Sequence, residues 1–164
     1  MNVPKFDYIQ GRIFSFFNRD TGTHNFQSDK AIDSITSGGY FGKGIGEGNL
    51  KNRVPEAHTD YIISVISEEF GVVAIILILL LFLIFIYMVF KKINYEKDDK
   101  TKLVLIGCVS LILMQATIHV GVNIRLFPTT GMTLPFLSYG GSSIVSISIL
   151  SGVILNLTKR KIEN

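Results

Sequence analysis

The chain is poor in charge, in cysteine and in histidine, and each shortage closes off a class of protein. Charged residues make up 18% of the 164 positions while hydrophobic ones make up 48%, and mean hydropathy is positive, too apolar for an ordinary soluble domain. The sole cysteine, Cys108, lies inside an apolar run, so neither a disulfide framework nor a cysteine-based zinc site can form within the chain. The histidines, His24, His58 and His119, are too few and too scattered for structural zinc. Met1 to Ile32 lacks the basic-then-apolar pattern of a signal peptide. There is no phosphate loop either: Lys43 stands in "GKG", not in GK followed by Ser or Thr, and no strand leads into it. A formal charge of +3 gives no reason to expect nucleic acid as a partner.

What the chain does have is long uncharged runs. From Val72 to Phe90, "VVAIILILLLFLIFIYMVF" continues for 19 residues without a charge, enough at about 1.5 Å per residue to cross roughly 30 Å of hydrocarbon. A second run, Leu103 to Val122, is long enough to span and carries Gln115 and His119 in its outer half. A third, "SYGGSSIVSISILSGVILNL" from Ser138 to Leu157, is crowded with Ser and Gly, which suits close packing against other helices better than exposure to lipid.

The flanks set a topology. Lys91, Lys92, Lys97, Lys100 and Lys102 crowd the link between the first two spans, and Lys159, Arg160 and Lys161 follow the third. Short basic flanks stay cytoplasmic, whereas the link from Asn123 to Leu137, with Arg125 alone, reads as external. The expected fold class is therefore an all-α polytopic membrane protein. Its parts are an extracytoplasmic loop region at 1–59, a transmembrane helix at 60–90, a cytoplasmic link at 91–102 and a second helix at 103–122. An extracytoplasmic loop at 123–137, a third helix at 138–158 and a cytoplasmic tail at 159–164 complete it. An exported head without an export signal leads us to expect further helices ahead of Met1.

Two stretches of the head carry chemistry. In "SGGYFGKGIGEG", six glycines fall between Gly38 and Gly48, which marks a backbone with positive φ angles or a close approach by another group. Its amides and Lys43 could meet an anion near the membrane surface, or the run could be a flexible turn. An aromatic patch, "RIFSFF" from Arg12, reads as an interfacial or packing segment. The second stretch is "VPEAHTDYI", Val54 to Ile62. If extended, it puts Glu56, His58 and Asp60 on one side, where Asp60 or Glu56 could hold a divalent cation, Mg or Mn, together with a substrate phosphate. Thr59 suits an N-cap, from which one helix would run to Phe90. On such a helix, at about 100° per residue, Asp60, Ser64, Ser67 and Gly71 share a face, with Glu68 at its edge. An ionisable group at the start of that stripe suits a general base or a cation ligand; a helix-end carboxylate with Glu68 and Glu69 snorkelling to the interface is the plainer reading.

"GGYFGKGIGEG", "VPEAHTDYIISVISEEFG" and "FPTTGMTLPFLSYGGSS" closely resemble, in this order, the signature regions of the bacterial SEDS family (shape, elongation, division and sporulation). "TLPFLSYGGSS" leans toward its division or sporulation branch. The resemblance runs from about Arg12 to Lys159 and covers only the C-terminal portion of a ten-helix inner-membrane protein. It implies a peptidoglycan glycosyltransferase that polymerises lipid II onto an undecaprenyl diphosphate-linked glycan, without an organic cofactor, beside a class B penicillin-binding transpeptidase. By resemblance Asp60 is the catalytic aspartate, and Pro55, Glu56, His58 and Thr59 complete its motif. Gly42, Lys43 and Gly44 match the family's glycine-rich loop, while Pro128, Pro135, Ser138, Gly140, Gly141 and Ser142 match the entry to its last helix. Candidate substrate contacts are Lys43, Arg53, Glu56 and His58.

Two departures stand out, and the first is a pair of residues: His119 replaces a usual Asn, where it is expected to take over a buried hydrogen bond, and Arg125 replaces a usual Gly. The larger one is that seven helices are missing from the resemblance, so a separate chain or the rest of a longer gene is expected to complete the cavity. Two other functions stay open: a non-catalytic membrane partner of a transpeptidase, and a lipid-linked sugar transporter using Glu68, Gln115 and His119.

Overall fold

The computed structural model describes residues 23–50, 54 and 56–159. The aromatic patch from Arg12, together with Arg53, Pro55, Arg160 and Lys161, lies outside the described residues. Four helices follow one another: α1 Thr23–Gly38, α2 Ile62–Tyr95, α3 Asp99–Asn123 and α4 Gly141–Thr158. No strand occurs among the described residues. The last three helices are long and apolar enough to cross a membrane, so the architecture is all-α and polytopic.

The spanning helices meet along one seam. Val89 and Ile93 of α2, Leu105, Cys108, Val109 and Ile112 of α3, and Ile147 and Ile154 of α4 form its buried core. Outward-facing Leu77, Leu83, Leu111 and Ile149 stay exposed, as lipid-facing side chains do. A second core lies beneath the head, where Ala31, Leu50, Val54, Ala57, Tyr61, Val65 and Val122 join α1, the intervening loop, α2 and α3. The Ser and Gly face of α4 is not packed against the other described helices: Ser142 and Ser146 are exposed, and a Cβ on Gly152 would meet nothing. Two hydroxyls of this helix are satisfied within it: Ser146 Oγ donates to the Ser142 carbonyl (3.0 Å) and Ser151 Oγ to that of Ile147 (2.7 Å).

Helix ends differ from the expected ones for local reasons. Lys91 and Lys92 belong to the last turn and a half of α2, and Lys100 and Lys102 to the first turn of α3, leaving Glu96, Lys97 and Asp98 as the link. Long basic side chains reach water from a helix that outlasts the hydrocarbon, so charge does not end it. Asp98 caps α3, accepting from the amides of Lys100 (3.3 Å) and Thr101 (3.2 Å). Thr59 does not cap α2: its hydroxyl donates to the Glu56 carbonyl (3.1 Å), and the helix starts after Tyr61. Helix α4 begins at Gly141 because Ser138 is held in the preceding turn.

Nor is α2 one continuous rod. At Gly71 the backbone takes φ 79° and ψ 179°, a region essentially reserved for glycine. A break there strands the Val72 and Val73 amides and the Glu68 and Glu69 carbonyls, which a helix would pair with each other. The glycine-rich loop takes all four. Val72 N–H donates to the Gly39 carbonyl (3.0 Å) and Val73 N–H to that of Tyr40 (3.4 Å), while Lys43 and Gly44 N–H donate to the carbonyls of Glu68 (2.9 Å) and Glu69 (3.1 Å). Approach this close leaves no space for side chains: a Cβ on Gly71 would overlap the Tyr40 carbonyl, and one on Gly42 the Glu69 carbonyl.

Candidate functional site

Asp60 ends a tight turn whose spacing is helical, not extended. The Glu56 carbonyl accepts from the amides of Thr59 (3.2 Å) and Asp60 (3.0 Å), and Val54, Ala57 and Tyr61 all turn into the core. The expected alternation of Glu56, His58 and Asp60 on one side therefore fails. A turn of this kind groups i with i+4, Glu56 with Asp60, and sends i+2 elsewhere. Glu56 and His58 are exposed and Asp60 is half-buried.

Three consecutive carbonyls of this turn are gripped from the C-terminal part of the chain. The His58 carbonyl accepts from Tyr139 N–H (3.1 Å), the Thr59 carbonyl from Ser138 Oγ (2.7 Å), and the Asp60 carbonyl from Asn123 Nδ2 (2.9 Å). Ser138 Oγ also accepts from Leu134 N–H (2.8 Å), which folds the 134–139 turn onto the aspartate turn. Asn123 is fully buried and uses both ends of its amide. Nδ2 also donates to the His119 carbonyl (2.9 Å), while Oδ1 accepts from Ser64 Oγ (2.8 Å) and Ser64 N–H (3.3 Å). The Asp60 carboxylate faces the loop at Gly131, where an added Cβ would stand 3.8 Å from Oδ2.

Lys43 meets an anion, and the anion is internal. Its Nζ donates to Glu68 Oε1 (3.0 Å) and to Ser37 Oγ (2.9 Å), while Glu68 Oε2 accepts from Leu50 N–H (3.0 Å). The Glu68 side chain is 3% exposed and that of Lys43 is 35% exposed, so the lysine carries the pair's link to water. Glu68 is thus a strut beneath the glycine-rich loop, and does not snorkel. Arg53 lies outside the described residues, and of the expected substrate contacts Glu56 and His58 stand on the aspartate turn while Lys43 stands on the loop.

Polar groups deeper in the bundle are spent on architecture. Gln115 Nε2 donates to the Thr133 carbonyl (2.9 Å) and to Ser143 Oγ (3.0 Å), tying α3 to the loop and to α4. His119 Nδ1–H donates to the Met132 carbonyl (2.7 Å), the buried hydrogen bond expected of it, and Nε2 has no partner among the described residues. Arg125 has φ 59°, a left-handed backbone for which Gly is the natural residue, and its guanidinium pairs with Asp29 of α1. Among the described residues no three His, Cys, Asp or Glu side chains gather as metal ligands.

Sequence reasoning missed Asn123 and the pairing of the 134–139 turn with residues 58–60. A lone Asn ending an apolar span was the available signal for the first, since a buried amide demands partners. Nothing local announced the second.

Fold and site together define a multi-pass membrane protein with a glycine-sealed helix break and a clamped aspartate at one membrane face. The chain matches the FtsW/RodA/SpoVE family of cell cycle proteins over residues 3–163 and belongs to it. It is 35% identical to a probable peptidoglycan glycosyltransferase FtsW of Enterococcus hirae, over 96% of this chain and 41% of that protein. It is 37% identical to the protein of the same description in Caulobacter vibrioides, over 95% of this chain and 40% of the other. A chain from a structure of a peptidoglycan synthase complex, concerned with the coordination of polymerization and crosslinking, superposes with a TM-score of 0.70 at 26% identity. That match covers 92% of this chain and 41% of the other. The chain thus spans about two fifths of the length of the curated relatives it matches. Family and spanning helices locate it in the bacterial inner membrane as a multi-pass protein.

Proposed function

We propose that the chain is the C-terminal portion of a ten-helix peptidoglycan glycosyltransferase of cell division, with Asp60 as its general base. The clamp on three consecutive carbonyls at 58–60 is the observation that carries this reading. A half-buried carboxylate at the end of a turn whose three consecutive carbonyls are held is preorganised to meet a substrate. In the reaction, the 4-hydroxyl oxygen of lipid II bonds to the anomeric carbon of the growing glycan with inversion. The bond to the undecaprenyl diphosphate breaks with its electron pair on the diphosphate, and the hydroxyl proton passes to Asp60.

Glu56 and His58, exposed on the same turn, are the candidate contacts to substrate polar groups, and Arg53 to the diphosphate. Lys43 is engaged by Glu68, and we assign it to holding the loop. A divalent cation, Mg or Mn, would supply charge neutralisation at the leaving diphosphate. Glu56 and Asp60, one helical turn apart, are the carboxylates fitted to hold it with substrate phosphates as further ligands. The complex of the similar solved chain supports a protein partner, proposed as a class B penicillin-binding transpeptidase. The open Ser and Gly face of α4 supports further helices, from the rest of a longer protein or from a second chain.

The test is polymerisation of lipid II by the complete assembly carrying Asp60→Ala. We expect loss of glycan strands with the assembly intact; retained polymerisation would reject Asp60 as the base. Transport draws no support from Glu68 and Gln115, which are committed to internal bonds, and His119 uses Nδ1 to hold the Met132 carbonyl.

A further inference from the structure

The glycine-rich loop does more than seal the break in α2; it carries the most exposed apolar side chains of the head. Tyr40 is 78%, Phe41 86% and Ile45 80% exposed, although the backbone beneath them is locked to α2. We propose that Tyr40, Phe41 and Ile45 seat in the boundary between headgroups and acyl chains of the bilayer, as a membrane-surface anchor of the loop.

Depth is the argument. The uncharged run from Val72 to Phe90 is 19 residues, about 28 Å of helix, nearly the whole of a roughly 30 Å hydrocarbon layer, so it leaves little freedom to slide along the membrane normal. The Gly39 and Tyr40 carbonyls bond the amides of Val72 and Val73, the first two residues of that run. The Tyr40–Phe41 segment is thereby held level with the edge of the hydrocarbon. Phe70 and Val73, also exposed, extend the apolar surface at the same level. Tyrosine suits this zone because its ring is apolar and its hydroxyl is wet, and Phe and Ile suit the layer just below. Lys43, the one basic residue between Gly38 and Gly48, is engaged with the nearly buried Glu68 and does not stand free at the tip. A water-exposed tip would leave three large apolar side chains of one short loop in solvent.

The chain contains no tryptophan, so Phe41→Trp or Tyr40→Trp introduces a single reporter. The full chain carrying either change would be reconstituted in phosphatidylethanolamine and phosphatidylglycerol vesicles doped with phosphatidylcholine brominated at chosen acyl positions. We expect blue-shifted emission, stronger quenching by bromines near the headgroup end of the chain than near the methyl end, and little quenching by aqueous iodide. Red emission quenched by iodide would overturn the anchor in favour of a tip in water. Blue emission untouched by either quencher would overturn it in favour of a tip covered by protein. This proposal does not depend on the glycosyltransferase reading.

Discussion

Asn123 joins more of the site than any other side chain. It ties the Asp60 carbonyl, the His119 carbonyl and both polar groups of Ser64 through one buried amide. Asn123→Leu leaves three of those partners without bonds in the dry interior, and we expect a stability loss of about 1–3 kcal/mol in thermal unfolding, with polymerisation lost in the complete assembly. Arg125 makes the opposite case. Its left-handed backbone costs about 1–2 kcal/mol, and its surface pair with Asp29 returns under about 1 kcal/mol. Arg125→Gly is therefore expected to be neutral or slightly stabilising, and Arg125→Val destabilising; equal effects of the two in a melting assay would refute the backbone argument. The buried pair is asymmetric too. Lys43→Met leaves the nearly buried Glu68 carboxylate without its cation, though still bonded by Leu50 N–H, and should cost about 1–3 kcal/mol, more than Glu68→Gln, after which the lysine still reaches water. The chemistry of these residues was partly legible in the sequence: Asp60 stood out, and a glycine-type position was visible at Arg125. Asn123 offered only its place at the end of an apolar span, because the partners that make it matter lie up to 63 positions away.

At the level of elements, the break in α2 is the least local feature of the fold. The sequence showed that the backbone between Gly38 and Gly48 needed close approach, but not to what, because that depends on residues 68–73. Equally, Gly71 inside an apolar pattern reads as a tolerated helical glycine, so the expectation of one rod from Thr59 to Phe90 followed from periodicity alone. The two surprises are one event: the loop supplies the bonds that the helix gives up. Gly71→Ala tests this directly, since Ala favours resealing of the helix and has no room beside the Tyr40 carbonyl. Hydrogen exchange should then show lost protection at the Lys43 and Gly44 amides, while Val72 and Val73 keep theirs through restored bonds to Glu68 and Glu69. Protection unchanged at all four amides would count against the sealed-break description. The three spans, by contrast, were legible because a membrane imposes length and apolarity locally, residue by residue.

On the scale of the whole molecule, the chain holds an ordered aspartate turn and spans about two fifths of the length of the curated relatives it matches. An oriented carboxylate without the walls that place both sugars lacks most of the proximity term in catalysis. We expect purified residues 1–164 to form little or no polymer from lipid II, and activity to appear when the complementary helices are supplied; robust activity of the chain alone would refute this. The clamp on the aspartate turn also imposes an order on synthesis. Ser138 lies 79 residues beyond the carbonyl it holds, so at about 5–20 residues per second the ribosome needs roughly 4–16 s to deliver it after Thr59 has been made. Throughout that interval the turn lacks its grip from the last loop. A nascent chain stopped before Ser138 therefore carries Asp60 on a turn that lacks two of its three carbonyl bonds, those from Ser138 and Tyr139, and the clamp closes only once residues far down the chain have been made.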